Sequence, residues 1–464
     1  MAKRILLFLL IFGSLPVIAT TQQIIDKFVS DPDFIPSSIG ICITDVKTGE
    51  TIASYNERQA IIPASTIKII TTATALRLYR PSFCLYTTVG HTGTIDETGT
   101  LHGDLVIHGG GDPSLGSAYR CRHTEDFIDQ IIQRALSNHI KSIEGRIVVD
   151  NSLFDEPAIS PKWMVEDIAW DYGTGCHAFS YKDNRIEVNL RYNGKSYDVT
   201  GVNPPNRFVV ETRLTKGEKG NITVKCENNR YTISGTIPKR KDRYRLYLSI
   251  ARPDSLFITD LQEKFQTAGI EVKNSNLGQL SETTWFHYPS DYLGDIVHSL
   301  NVRSDNLYES ILRLLSLSAH EKGSVEKGID IIRKYWQNYE ADSLELFMYD
   351  GSGLARNNKV SAKYLNCVLK ETARDSLIGE YFVQTLPLAG KEGSVSTFMK
   401  HGELPGELRL KSGSMSDVHA YAGYYTTPQN RYAIVVMINN YTCTRAQLKQ
   451  KISALLTQVL SKKE

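Results

Sequence analysis

The stretch Pro63-Ala64-Ser65-Thr66-Ile67-Lys68, running into the apolar Ile69-Ile70, decides how this chain is read. A hydroxyl is a poor nucleophile near neutral pH and needs a base beside it. Pro63 precedes a helix expected over Ser65–Leu78, and on a helix residues i and i+3 share a face. Lys68 therefore reaches Ser65 Oγ. The positive end of the first helical turn disfavours a charged lysine, so a neutral Lys68 can take the serine proton. The same helix end presents the Ser65 N–H to a developing oxyanion. The spacing recurs at Ser324-Val325-Glu326-Lys327. There the serine follows Gly323 and opens a charged helix, the pattern of an N-cap.

Two further motifs supply what the first lacks. Ser304-Asp305-Asn306 offers a hydroxyl that can relay a proton between a lysine and a leaving amine. Its amide, Asn306, can bind the acyl-side carbonyl of a substrate. The bland alternative is that Ser304 is the N-cap of a helix Asp305–Leu317, and Ser54-Tyr55-Asn56 and Ser299-Leu300-Asn301 share the pattern. Lys411-Ser412-Gly413-Ser414 ends a strand-like run, Glu407-Leu408-Arg409-Leu410. Gly413 removes a side chain, so a substrate backbone can lie along that strand edge. Ser412 can donate to a substrate carboxylate, Lys411 adds positive field there, and the Ser414 N–H is a second oxyanion donor. Lys47-Thr48-Gly49 imitates this motif but lies in a hairpin turn. Two lysines in one cleft lower each other's pKa, which suits Lys68 as a base.

Around these motifs, 464 residues leave room for about three domains. Lys+Arg is 53 and Asp+Glu is 51, a net charge of +2. That balance argues against broad nucleic-acid or polybasic membrane binding. With 22% charged and 41% hydrophobic residues the chain is globular, not disordered. Lys3 and Arg4, the apolar run Ile5–Phe12 and Val17-Ile18-Ala19 read as a secretory signal peptide cut after Ala19; an uncut anchor is the alternative. No other stretch has the length of a membrane span, so the mature chain is expected to be soluble outside the cytoplasm. The cysteines Cys42, Cys84, Cys121, Cys176, Cys226, Cys367 and Cys443 form no CxxC pair, and nothing points to a metal or cofactor. Cys42, in an apolar run, reads as a buried small hydrophobe, and disulfide pairing is open.

The rest of the chain supplies the scaffold. Ile24–Val29 starts a helix, and Gly40–Asp45 with Thr51–Tyr55 form a hairpin. Residues 80–290 are rich in β-branched residues and short turns, with a helix over Thr124–Leu136 and a strand over Gly145–Asp150. Alternating segments from Arg185 to Ile233, broken at Asn203-Pro204-Pro205-Asn206, read as a small all-β insert. Helices over Ser304–Leu317, Ser324–Tyr339 and Ser361–Arg374 each begin at an N-cap serine. Strands follow over Leu408–Lys411, His419–Thr426 and Tyr432–Asn439. A last helix, Ala446–Leu460, carries Leu448, Ile452, Leu455, Leu456 and Val459 on one face, to pack on the sheet or lie on a membrane surface. The ends of the chain thus make one α/β (α+β) unit with the β-rich middle inserted.

A nucleophile at a helix start, a second motif at a helix start and a third on a strand resemble the penicillin-recognising serine acyl-transferases. More closely, the chain resembles the low-molecular-mass class C penicillin-binding proteins of the D-alanyl-D-alanine carboxypeptidase/endopeptidase type with a large insert, the penicillin-binding protein 4 group. Besides the three motifs, the resemblance rests on Gly103-Asp104-Leu105, Gly109-Gly110-Gly111-Asp112-Pro113-Ser114-Leu115, Asp350-Gly351-Ser352-Gly353-Leu354-Ala355-Arg356 and Leu386-Pro387-Leu388-Ala389-Gly390. It implies an antiparallel sheet flanked by helices, with two nested inserts in the long gap between Lys68 and Ser304. The catalytic unit is then 20–80 plus 290–464, the insert 81–180 plus 240–289, and the nested unit 181–239. By resemblance Ser65 is the acylated nucleophile, Lys68 the base, and Ser304 and Asn306 act in proton transfer and positioning. Lys411, Ser412 and Gly413 take the terminal carboxylate side. Arg356 meets the side-chain carboxylate of the peptide's diamino acid, or is a surface arginine. The implied substrates are peptidoglycan stem peptides, the inhibitors β-lactams and the compartment the periplasm, a secreted form being the alternative. The competing readings are a serine β-lactamase, with faster deacylation of Ser65, and a non-catalytic penicillin-binding scaffold.

Overall fold

Strands Ser38–Asp45 and Arg431–Asn439 are buried along nearly their whole length. They read as continuous apolar runs because their sheet is covered on both faces. In the computed structural model they pair antiparallel, with Ile41 opposite Val436. They lie inside a five-stranded sheet ordered Glu407–Met415, Val418–Thr426, Arg431–Asn439, Ser38–Asp45, Thr51–Tyr55. The structure describes residues 20–119, 126–155, 157–278, 280–317, 322–400 and 404–461. The leader read at 1–19 and Cys121 lie outside these described residues.

The period of two along each strand sorts the side chains into two cores. Ile39, Ile41, Ile43, Ile434, Val436 and Ile438 face Leu448, Ile452, Leu455, Leu456 and Val459 of the helix Arg445–Leu460. The apolar stripe of that helix is buried on the sheet, at about 1.5–3 kcal/mol for each large aliphatic side chain. Cys42, Ala433, Val435 and Met437 face the other way, toward the helices Lys68–Tyr79 and Ala362–Arg374. Segments 38–79 and 362–460 thus share one sheet and its two cores.

The middle of the chain builds its own sheets. One is ordered Glu282–Pro289, Tyr86–Thr92, Leu105–His108, Ile147–Asp150; another is ordered Glu271–Val272, Ser142–Ile143, Thr100–His102, Thr94–Ile95. Of the helix expected over Thr124–Leu136, Thr124 and Glu125 lie outside the described residues; the helix is described over Phe127–Ser137, where Asp126 accepts from Ile128 N as its cap. Two three-stranded sheets occupy residues 185–249. Strand Arg243–Ser249 pairs with Arg185–Tyr192, so this β-unit continues past the boundary expected at 239. Main-chain pairing, which a break in alternation does not reveal, sets that limit.

Candidate active site

Ser65 lies in a 3-10 turn, Ala64–Ile67, that runs into the helix Lys68–Tyr79. The α-helix thus begins after the nucleophile, not at it. In a 3-10 turn side chains at i and i+3 eclipse, which brings Lys68 over Ser65. Ala64 holds a φ of 46°, a left-handed conformation that costs an alanine energy. The loop at Gly353 packs so closely on it that a Cβ there would stand 2.2 Å from the Ala64 carbonyl oxygen.

Lys68 is fully buried, and its Nζ donates to Ser65 Oγ at 3.0 Å, to Asn306 Oδ1 at 2.7 Å and to the Ser352 carbonyl. An ammonium has three hydrogens for these three oxygens. After one proton is lost, two hydrogens and one lone pair remain. Oδ1 of Asn306 and the carbonyl of Ser352 can only accept, so the lone pair falls to Ser65, the one partner with a hydrogen to give. The orientation of Asn306 is set by its Nδ2, which donates to the Tyr172 carbonyl at 2.6 Å. Burial pulls the Lys68 pKa down to about 8, against the raising effect of Asp350, Glu309 and Asp305.

Ser304 is not an N-cap. It ends the helix Leu293–Arg303 in a left-handed conformation, φ 59° and ψ 37°, and the next helix begins only at Tyr308. Asp305 turns the corner instead, its Oδ1 accepting from Leu307 N at 3.0 Å. The sharp corner aims the Ser304 hydroxyl across the cleft at Lys411, whose Nζ donates to Ser304 Oγ at 2.7 Å and to the Ser412 carbonyl at 3.0 Å. Burial first, and the Lys68 charge second, hold the Lys411 pKa well below its ordinary value.

Lys411 belongs to the edge strand Glu407–Met415, longer than the expected Leu408–Lys411 and including Ser412, Gly413 and Ser414. Gly413 also has a packing role. A Cβ there would stand 2.4 Å from the Pro63 carbonyl oxygen and 3.1 Å from Ser65 N, so glycine lets the strand close on the nucleophile turn. Ser412 Oγ shares a 2.6 Å hydrogen bond with Ser394 Oγ, and Ser414 is exposed. Arg356 stands apart from this cluster. It is exposed, and its charge acts on Asp167 of the insert.

Glu309 and Tyr172 had no signal in the motifs, and Asp350 stood in a quoted motif without a role. Glu309 Oε1 accepts from Gly351 N at 2.9 Å and Ser352 N at 2.8 Å, which fixes the carbonyl that Lys68 meets. Asp350 ties down the same loop through Gly353 N, Ala355 N and Asn358 Nδ2, and accepts from Trp163 Nε1 of the insert at 2.8 Å. Tyr172, also of the insert, contributes its carbonyl to Asn306. A carbonyl carries no side-chain signature, and a buried carboxylate is recognised only by what folds around it.

A serine whose hydroxyl meets a buried lysine, faced by a second serine–lysine pair on a sheet edge, defines the serine hydrolases that use lysine as base. The chain belongs to the D-Ala-D-Ala carboxypeptidase 3 (S13) family, whose model matches residues 21–462. A relative in Haemophilus influenzae, the D-alanyl-D-alanine carboxypeptidase DacB, is 24% identical over 90% of this chain and 89% of its own. The D-alanyl-D-alanine carboxypeptidase of Actinomadura is 22% identical over 91% of this chain and 81% of its own. The fold matches the crystal structure of penicillin binding protein 4 from Haemophilus influenzae with a TM-score of 0.76, at 23% identity over 91% of this chain and 96% of that one. That protein has also been solved with a β-lactam, where the match has a TM-score of 0.72, at 22% identity over 92% of this chain and 96% of that one. Among the described residues no helix is long and apolar enough to cross a membrane.

Proposed function

We propose that this chain cleaves D-Ala–D-Ala termini or D-amino-acid cross-links of peptidoglycan stem peptides through a Ser65 acyl-enzyme, and that β-lactams acylate the same serine. The observation that carries the reading is the hydrogen-bond set of Lys68, in which only Ser65 can return a proton. Neutral Lys68 takes the proton from Ser65 Oγ as the oxygen attacks the substrate carbonyl. The N–H groups of Ser65 and Ser414 hold the resulting oxyanion. The C–N bond breaks, the leaving amine takes a proton from Ser304 Oγ, and the proton held by Lys68 replaces it, which returns Lys68 to its neutral form. Water then attacks the ester, the neutral Lys68 accepts its proton and passes it to Ser65 Oγ, and Ser65 leaves as the free hydroxyl. Asn306 binds the acyl-side amide, while Lys411, Ser412 and Gly413 form the wall for the terminal carboxylate. We assign Arg356 to the diamino-acid carboxylate of the stem peptide.

Family membership and the β-lactam complex of the Haemophilus influenzae relative support this reading. We propose that the enzyme works in the periplasm, exported by its leader. We divide the chain into a catalytic unit of 20–80 plus 290–464, an insert, and a β-rich unit nested in that insert.

The test is the intact mass of the protein after incubation with benzylpenicillin, followed by peptide mapping. A stable adduct on the Ser65 peptide, lost in Ser65→Ala along with D-Ala release, is the expected result. Penicillin consumed without an adduct would identify a β-lactamase. Penicillin left intact, with no adduct, would identify a scaffold.

A further inference from the structure

The even total charge hides a segregation. Residues 185–249 hold 14 Lys and Arg against six Asp and Glu, a net of +8, in a chain whose total is +2. Part of this charge is neutralised locally, Lys216 by Asp242, Arg230 by Glu211, Lys239 by Glu218 and Arg245 by Glu187. Arg191, Lys195, Arg240, Lys241 and Arg243 are exposed and make no ion pair among the described residues.

These five residues gather at one end of one sheet. Arg191 lies directly opposite Arg243 on antiparallel strands. Both point away from the core, since the alternate residues Ile186, Val188, Leu190, Leu246 and Leu248 are buried. The turn carrying Arg240 and Lys241 leads into Arg243 and is tied to the neighbouring strand where Tyr192 N donates to the Asp242 carbonyl at 2.9 Å. The hairpin holding Lys195 leaves the same end. Like charges directly opposite in a sheet are destabilising. Asp198 is the cross-strand neighbour of Arg191 on its other side, but its oxygens are engaged by Asn193 Nδ2 at 3.0 Å. The fold thus keeps two arginines directly opposite each other at an exposed end of the sheet, neither of them in an ion pair among the described residues.

We infer that this end of the nested β-unit is a docking surface for an anionic phospholipid bilayer, made by Arg191, Lys195, Arg240, Lys241 and Arg243. A protein partner is recognised by cations held in fixed geometry, and no carboxylate holds these five. Free, long stems on a sheet face and a projecting turn suit a fluid array of headgroup phosphates, where several cations act together. Lys241 Nζ lies 4.7 Å from the centre of the ring of Tyr244, which packs on the core, so the lysine stem lies along the end of the sheet with its charge outward. The opposite sign of the remainder of the chain turns this end toward the surface and the rest away from it.

The experiment is co-sedimentation of the full mature chain with vesicles in low-salt buffer. Binding to mixed phosphatidylglycerol–phosphatidylcholine vesicles, at least about tenfold over phosphatidylcholine alone and lost as salt is raised, is expected. The triple variant Arg240→Glu, Lys241→Glu, Arg243→Glu is expected to lose about tenfold or more of that binding. Its benzylpenicillin acylation rate stays that of the parent, which reports an intact fold. Equal binding to the neutral vesicles, or a charge-reversed variant that binds like its parent, overturns the inference. So does capture by a soluble acidic protein or by heparin without vesicle binding.

Discussion

Lys411 and Ser304 meet in a 2.7 Å hydrogen bond although 107 residues separate them in the chain. One stands on a sheet edge and the other on a helix corner, so the bond closes the cleft opposite Ser65. Among the described residues Lys411 donates only to this hydroxyl and to a backbone carbonyl. With no carboxylate on it, burial dominates and holds the lysine toward its neutral form. A hydroxyl between such a lysine and the leaving amine can pass a proton either way.

Ser304→Ala removes that hydroxyl and leaves the buried Lys411 Nζ with the Ser412 carbonyl alone. Benzylpenicillin acylation and D-Ala release are expected to fall about 10²- to 10⁴-fold, the usual loss for a removed acid–base group. The far-UV spectrum should not change. A loss of less than about tenfold in stopped-flow acylation would take Ser304 out of the proton path.

Lys68 predicts opposite effects of pH on activity and stability. Its pKa of about 8 means the neutral base gains population as pH rises through 8, so acylation should climb along an acid limb centred there. Its folded pKa lies below the ordinary 10.5, so between about 8 and 10.5 the unfolded chain binds the extra proton and stability from this group rises with pH. Below pH 8 both states are protonated and the cost of burying the charge is fully present, on the order of 3 kcal/mol. Lys68→Met should therefore be inactive yet more stable than the parent at pH 7, with the difference shrinking toward pH 10. Urea titrations at the two pH values measure it, and a variant less stable at pH 7 would contradict the account.

How far the sequence could be read follows from what each signal depends on. The continuous apolar strands and the stripe of Arg445–Leu460 were legible because burial on a sheet dictates them residue by residue. Ser65 and Lys68 were legible because their contact is local, three residues apart. Ser304 was read as a possible N-cap, since a serine before a helix is ordinary; only its left-handed φ of 59° reveals a corner. Gly413 was read for the space it leaves, whereas the contact that demands it comes from Pro63 and Ser65, far away in the chain. The pairing of strand Arg243–Ser249 with Arg185–Tyr192 had no local signal, because the two are separated by about 50 residues.

Gly413→Ala tests that close approach. Its Cβ would meet the Pro63 carbonyl oxygen at 2.4 Å, a backbone atom that cannot swing aside. The edge strand must back away from Ser65, carrying Lys411 and the Ser414 N–H with it. Stability should drop by about 1–3 kcal/mol. Acylation should drop by about 10²-fold, because misplacement of about 1 Å is enough for that. Thermal unfolding and acylation measured side by side check both, and parent-like acylation would show that the strand need not touch the nucleophile turn.

Glu309 separates charge from geometry at the base. Burial, and then the Asp350 charge, raise its pKa to about 7, while its Oε1 accepts the N–H groups of Gly351 and Ser352. Glu309→Gln keeps an acceptor for those donors and removes the negative charge that raises the Lys68 pKa. The acid limb of acylation should then move to lower pH with the plateau rate retained. Glu309→Ala leaves two buried N–H groups unpaired, at about 1–3 kcal/mol each, and frees the Ser352 carbonyl from Lys68. Acylation should fall across the whole pH range, and its limb should move to lower pH as in the glutamine variant, because both variants lack the charge that raises the Lys68 pKa. Because the folded pKa of Glu309 lies above the ordinary 4.5, its contribution to stability is present below that value and is lost as pH rises to about 7. Glu309→Gln has no such dependence, so its stability relative to the parent should improve across that interval. Identical pH–rate profiles for the parent and the glutamine variant would mean that the Glu309 charge does not reach Lys68.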